Sequence, residues 1–154
     1  PCYKCYAFKG RYNFPNVKDA LARRLKSLMH PRWTEAMTVL VKGKKHFRWH
    51  DSGDIQSVAH LKKIFEVCNN TPATMHWLPT QERKYLPLGS YPANLTIRLS
   101  NAKNNTAPGQ AWTHWSTVVD KGFHSCPASS QGNKCGTCRA CWSRDVKHVT
   151  YPKH

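Results

Sequence analysis

Phe47-Arg48-Trp49-His50-Asp51-Ser52-Gly53-Asp54 is the stretch on which the fold turns. A short aromatic-rich run leads directly into Asp, Ser and Gly. That pattern predicts a strand over residues 47–50 ending in a turn. Ser57 then stands where a helix N-cap belongs, because its hydroxyl can accept from a free amide of the first turn. Val58, Leu61, Phe65 and Cys68 follow at helical spacing, and Asn69-Asn70-Thr71-Pro72 stops the helix. A second strand is expected over 75–78. Strand, turn, helix and strand make the βαβ unit of a parallel sheet, with a right-handed crossover.

Working outward, Asn16 is a candidate N-cap for a helix carrying Val17, Ala20, Leu21, Leu25 and Leu28 on one side. Arg23, Arg24 and Lys26 fall on its outer face, and His30-Pro31 ends it. A short second helix is expected over 33–41, closed by Gly43. After the central unit comes a polar connection over 81–85 with helical character. Strands are then expected over 95–99, with Ile97 and Leu99 inward, and over 115–119. Residues 101–110 read as a polar loop, and the chain from Gly122 onward reads as irregular. Four strands are too few to close an eightfold barrel. The expectation is therefore an α/β fold, a small mainly parallel sheet or partial (β/α) barrel. Residues 1–154 would form a single domain, with an α/β body over 1–121 and a cysteine-rich metal-binding tail over 122–154 packed on it.

The chain has 154 residues, enough for one hydrophobic core. Its 24 Lys and Arg stand against eight Asp and Glu, a formal charge of +16. Such an excess says nothing about fold, but it predicts attraction to polyanions, nucleic acid first among them. The plainer reading is a solvated basic surface. No run approaches the roughly 20 apolar residues of a membrane span, so no membrane partner is expected. No secretory leader is visible at Pro1-Cys2-Tyr3-Lys4-Cys5, which points to the cytoplasm. The opening without Met leaves room for residues, and metal ligands, upstream of Pro1. Glycosylation sequons start at Asn69, Asn94 and Asn104, and they would matter only in the secretory pathway.

Seven cysteines are present: Cys2, Cys5, Cys68, Cys126, Cys135, Cys138 and Cys141. An odd number with two-residue spacings favours metal or redox chemistry over a disulfide framework. Cys126-x8-Cys135-x2-Cys138-x2-Cys141 is the strongest signal. Thiolates are soft ligands that suit zinc and iron–sulfur clusters alike. Zinc sites are usually built from two paired knuckles, whereas C-x-x-C-x-x-C fits three corners of a [4Fe-4S] cubane. Gly136 permits the tight turn that such a wrap needs. The fourth ligand could be Cys126, or could come from the Cys2 and Cys5 knuckle folding across; otherwise one iron is open to substrate. Zinc, as a staple for the tail, is the alternative cofactor. Cys68, on the apolar face of a helix, reads as a buried core thiol.

In α/β folds ligands bind at the carboxyl ends of strands. His50, Asp51 and Asp54 occupy such an end. His50 and Asp51 could transfer protons or hold a metal, and Asp54 could accept hydrogen bonds from a ligand. These three are the catalytic candidates, expected near the metal centre. The competing reading is a structural turn, with Asp51 in an Asx-turn and Asp54 capping the next helix. His76, Thr80, Arg98 and Ser100, on the following strands, are candidates for lining the same pocket.

Cys2-x-x-Cys5-Tyr6-Ala7-x-Lys9-Gly10, Phe14-Pro15-Asn16-Val17, His50-Asp51-Ser52-Gly53-Asp54 and the Cys-Gly-x-Cys-Arg-x-Cys-Trp tail together resemble an uncharacterised family of phage and plasmid proteins, the mycobacteriophage gene product 88 family. The resemblance covers most of the chain and implies a cytoplasmic protein of an infected host, with no established activity. A more distant likeness is to radical S-adenosylmethionine proteins, which also pair a cysteine-rich loop with a partial (β/α) barrel. Their loop is C-x-x-x-C-x-x-C near the first strand; here only Cys2 and Cys5 stand there. Three functions follow as expectations. The first is a cluster-binding phage-type protein of unknown reaction that contacts nucleic acid. The second is a zinc-stapled basic nucleic-acid-binding module without catalysis. The third is a small cluster-dependent redox or radical-type enzyme.

Overall fold

Residues 9–107 and 112–153 are described by the structure, a computed structural model. Its order of elements starts with helix α1 (Pro15–Ser27), helix α2 (Trp33–Val41) and strand β1 (His46–Arg48), followed by helix α3 (Val58–Asn70) and strand β2 (Met75–Thr80). Strands β3 (Leu95–Ser100), β4 (Trp115–Val119) and β5 (His148–Pro152) complete it, with single 3-10 turns at Gly10–Asn13, Arg83–Tyr85 and Ala128–Ser130. The βαβ unit expected from the sequence is there. Ser57 caps α3 as anticipated, its Oγ accepting from the His60 amide at 3.0 Å.

Two helix-and-strand boundaries differ from expectation. Helix α1 begins at Pro15, with Phe14 as its N-cap and Asn16 already inside the first turn. Proline suits the first helical position because its φ is preset and its missing N–H would be unpaired there anyway. Strand β1 closes at Arg48, although the Trp49 amide still donates to the Trp77 carbonyl at 2.8 Å. His50 then takes φ +53°, a left-handed conformation that no strand can continue through.

All five strands are parallel and lie in the order β1-β2-β3-β4-β5. The sheet is curled, a half-barrel. An unbroken sequential order means that every crossover steps the same way. Alternation along each strand then gives two different faces. Leu78, Leu95 and Ile97 point to one face, where Val41, Leu61, Ile64, Val67 and Cys68 from α2 and α3 complete a buried core. Tyr85, Leu86, Tyr91 and Trp112, from the connections flanking β3, pack on the same side. The neighbours Trp77 and Arg98 point to the opposite face.

That opposite face is covered by the tail. Trp77 and Val149 are buried there with Cys141, and Cys126, Ala140, Trp142, Val146 and Tyr151 pack against them. The tail was expected to be irregular throughout, and β5 corrects this. Residues 148–152 pair in parallel with β4 over five positions, from Trp115↔His148 to Val119↔Pro152. Val149, Thr150 and Tyr151 are good strand formers, but the run is short and lies beyond the cysteines. The crossover from β4 to β5 is therefore the cysteine-bearing segment itself, where a helix would usually stand.

Candidate metal centre

The tail is held to the sheet by backbone contacts and one buried cation. Cys126 is pinned beside β5 by its amide, which donates to the Thr150 carbonyl at 3.0 Å. Gly136 takes φ +55°, and a Cβ there would meet Gln131 Oε1 at 2.7 Å. The turn expected at this glycine therefore uses a left-handed conformation that favours glycine, and a larger residue would also have to displace the Gln131 side chain. The Cys138 amide donates back to the Cys135 carbonyl at 3.0 Å, curling the C-x-x-C segment. Thr96 on β3 donates to the Trp142 carbonyl at 2.7 Å, and the Trp142 indole N–H donates to the Phe47 carbonyl at 3.0 Å.

Arg98 is the centre of this attachment. It is fully buried, and its guanidinium donates to five carbonyls: Trp115, Ala140, Ser143, Val146 and Lys147, at 3.0–3.3 Å. Four of the five belong to the tail. Among the described residues no carboxylate pairs with it. Burial lowers the pKa of the Arg98 guanidinium, and the Cys141 and Tyr151 side chains only partly oppose that shift.

Cys126, Cys135, Cys138 and Cys141 line one recess, with Pro127, Trp142 and Val149 among its walls. All four are free thiols. Cys135 is exposed, Cys126 and Cys138 are half-buried and Cys141 is buried. The Cys141 Sγ lies 3.2 Å from the Tyr151 hydroxyl. Burial pushes the Cys141 thiol up, and the Tyr151 hydrogen bond and the Arg98 charge oppose that shift. Among the described residues, no three His, Cys, Asp or Glu side chains are gathered as ligands for one metal ion. The four thiols share a recess without converging on a point. A polynuclear cluster, whose ligands sit on different iron atoms, takes thiols farther apart than a tetrahedral zinc with bonds of about 2.3 Å. What the described residues supply is donor chemistry: four soft thiols along one recess, near a buried cation. Cys2 and Cys5 lie outside the described residues.

His50, Asp51 and Asp54 are at the end of β1 as expected, but none of the three lines the cysteine recess. Asp54 accepts from the Ile55 amide at 2.8 Å, the Gln81 amide at 2.7 Å and the Thr80 hydroxyl, so it ties the end of β1 to the end of β2. It does not cap α3, a role Ser57 fills. Asp51 accepts from the Tyr12 hydroxyl at 2.9 Å. The His50 ring packs against His60, centroids 5.5 Å apart. Burial, then the Arg48 charge, lowers the His50 pKa to about 4. The residues expected to share its pocket are divided between the two sheet faces. His76 is buried beside α3, its Nε2 2.9 Å from the Thr71 hydroxyl. Thr80 serves Asp54, Arg98 belongs to the tail, and Ser100 ends β3. Asp54→Ala should lower stability by about 2 kcal/mol, since three donors lose a charged acceptor. Urea denaturation checks this, and an unchanged midpoint would show the turn to be held without the carboxylate.

Sequence reasoning missed Tyr151, Trp142 and Thr96 as parts of the centre and placed Arg98 elsewhere. The available signal was the alternation in Leu95-Thr96-Ile97-Arg98-Leu99-Ser100, which sends Thr96 and Arg98 away from the apolar core.

A family model described as Gene product 88 matches residues 1–121, ending just before the tail. No curated protein and no solved structure matches the chain. These comparisons give the likeness to radical S-adenosylmethionine proteins no support. No helix among the described residues is long and apolar enough to cross a membrane.

Proposed function

The chain belongs to the Gene product 88 family, whose match ends before the tail; from the tail's own residues we propose that it is an iron–sulfur protein whose cluster, a [4Fe-4S] centre, is bound there. The observation that carries this reading is the set of four free thiols lining one recess beside a fully buried Arg98 that has no carboxylate partner among the described residues. A buried guanidinium needs a compensating charge, and a thiolate-ligated cluster is anionic. Cys135, Cys138 and Cys141 take three corners. Cys126 takes the fourth, held in place through β5. Tyr151 donates its hydroxyl to the Cys141 sulfur, Trp142 and Val149 keep water from one side, and Arg98 holds the ligand loop against the sheet. When bound, such a cluster supplies one-electron chemistry at iron. The charge of +16 supports accompanying contact with a polyanion, nucleic acid being the commonest.

Anaerobic purification with iron, sulfide and zinc quantification tests the reading. The expected result is a brown protein with about four iron and four sulfide per chain. Cys138→Ser should lose most of the iron and loosen the tail, because metal binding is coupled to folding. Cys68→Ser should keep it, since Cys68 is a residue of α3 buried in the other core. A colourless protein with one zinc would establish the stapled module instead, and a Cys138→Ser variant with full metal would remove the tail as the site.

A further inference from the structure

A second recess adjoins the cysteine recess, and Trp142 lines both. It measures about 340 Å³ and lies where the starts of β1 and β2, at His46 and Met75, meet the tail at Arg139, Arg144 and Asp145. That volume is within the usual range for small-ligand sites, about 300–1,000 Å³.

We infer that this recess binds a nucleotide unit, a planar base against Trp142 with its phosphate on Arg139 and Arg144. The inference deepens the polyanion reading given above, and rests on it for a macromolecular source of the nucleotide. Trp142 is a fixed platform. Its indole N–H is tied to the Phe47 carbonyl, and its ring meets Trp77 and His46 edge-on, with centroids 5.1 and 5.6 Å apart. A ring already held in place loses little entropy when a base stacks on it. Both arginines are exposed, and neither is paired with a carboxylate among the described residues. Arg139 spends one nitrogen, Nη1, on the Gly136 and Cys138 carbonyls, while Arg144 spends Nε and Nη2 on Leu95 and Pro92. Arg139 also lies 6.0 Å from the Trp142 ring centroid and Arg144 4.5 Å from that of Tyr91; with hydrogen bonds only to neutral carbonyls, both charges stay uncompensated beside the recess, and each guanidinium keeps donors for a phosphate. The carboxylate of Asp145, at the rim, is engaged by the Ser143 hydroxyl at 3.5 Å and leaves the recess net positive. A base seated here lies one indole away from the cysteine centre.

The test uses the full chain, purified anaerobically, with a labelled oligothymidylate of about ten nucleotides and free thymidine monophosphate as competitor. Arg139→Gln with Arg144→Gln should weaken oligonucleotide binding at least about tenfold. Arg23→Gln with Arg24→Gln removes the same charge from the exposed face of α1 and should weaken it about threefold or less, the general electrostatic share. Because the first pair could disturb the tail, a second measurement needs no variant. An oligonucleotide carrying bromodeoxyuridine should photocrosslink to the peptide containing Trp142. Competition by the free nucleotide identifies the small molecule as a sufficient ligand; oligonucleotide binding without competition, still crosslinked at Trp142, identifies the single strand. Equal losses from both arginine pairs, or a crosslink elsewhere, would overturn the site while leaving nucleic-acid contact standing. Absence of binding to either probe at low salt would overturn both.

Discussion

Arg98→Lys is expected to release the tail from the sheet and, at the proposed centre, to lower metal content more than a single change at any other residue outside the cysteines. The guanidinium reaches five carbonyls from one buried position. An ammonium has three donors on a single point, is more strongly hydrated, and cannot reproduce a planar fork. Several carbonyls would be left unpaired beside a buried charge, at a cost of about 3 kcal/mol or more. Arg98→Met removes the charge and leaves the carbonyls unpaired, so it too should lose metal. The measurements are the urea midpoint and the iron and sulfide content. Helix α3 and its core lie on the other face, so loss of metal should exceed loss of far-ultraviolet helix signal. If Arg98→Met retained full metal and an unchanged midpoint, the tail would be held by Thr96, Trp142 and Arg144 without it.

Acidification should produce the second large effect. His50, His60 and His76 each have a pKa lowered to about 4, principally by burial, with the mutual proximity of His50 and His60 contributing at His60. Geometry explains why the neutral forms are kept. The Thr71 hydroxyl gives its proton to the Val67 carbonyl, so it accepts from His76 Nε2, and His76 Nδ1 is buried without a partner among the described residues. His60 Nδ1 accepts from the Gln56 amide at 3.3 Å, and among the described residues His50 Nδ1 is likewise buried and unpartnered. A proton added at any of these nitrogens has no acceptor. The unfolded chain, with ordinary histidines near 6.5, binds more protons than the folded one between about pH 6.5 and 4. Stability must therefore fall as pH falls through that window. One isolated group of this kind contributes up to about 3 kcal/mol, and His50 and His60 titrate together rather than additively. Against a typical total of about 5–15 kcal/mol, acid unfolding near pH 5 is expected. Urea midpoints from pH 7 to 4.5 measure it, and His76→Leu should flatten the curve by roughly one proton. Acid release of metal affects wild type and variant alike, so the difference between the two slopes isolates the histidine. Identical slopes would show that His76 is protonated in the folded state.

The βαβ unit was legible because three independent local signals agreed: an aromatic strand, a Ser57 cap and a helix with apolar residues on one side. The parallel character of the sheet followed from that grammar. The shared recess of Cys126, Cys135, Cys138 and Cys141 was foreshadowed by their spacing, because a C-x-x-C-x-x-C run keeps its thiols close in space through local turns. Helix α1 shows where local signals run out. Its periodicity is real, yet none of its residues is fully buried and Leu25 is 55% exposed, since amphipathicity names a face without naming what covers it.

By itself the sequence determined the α/β class, the parallel pairing of β1 with β2, the thiol-rich tail and the large positive charge. Each of these rests on composition or on spacing within about 30 residues. Only the tertiary structure decided that the tail lies on the sheet face opposite α3, that β5 closes that tail, that Arg98 anchors it, and that His50, Asp51 and Asp54 stay outside the cysteine recess. The physical reason is the two-residue alternation of a strand. Leu78 and Trp77, or Ile97 and Arg98, are adjacent in the chain and face opposite layers, and which layer receives the tail depends on a crossover from β4 to β5 through 28 residues without a helix to announce its course.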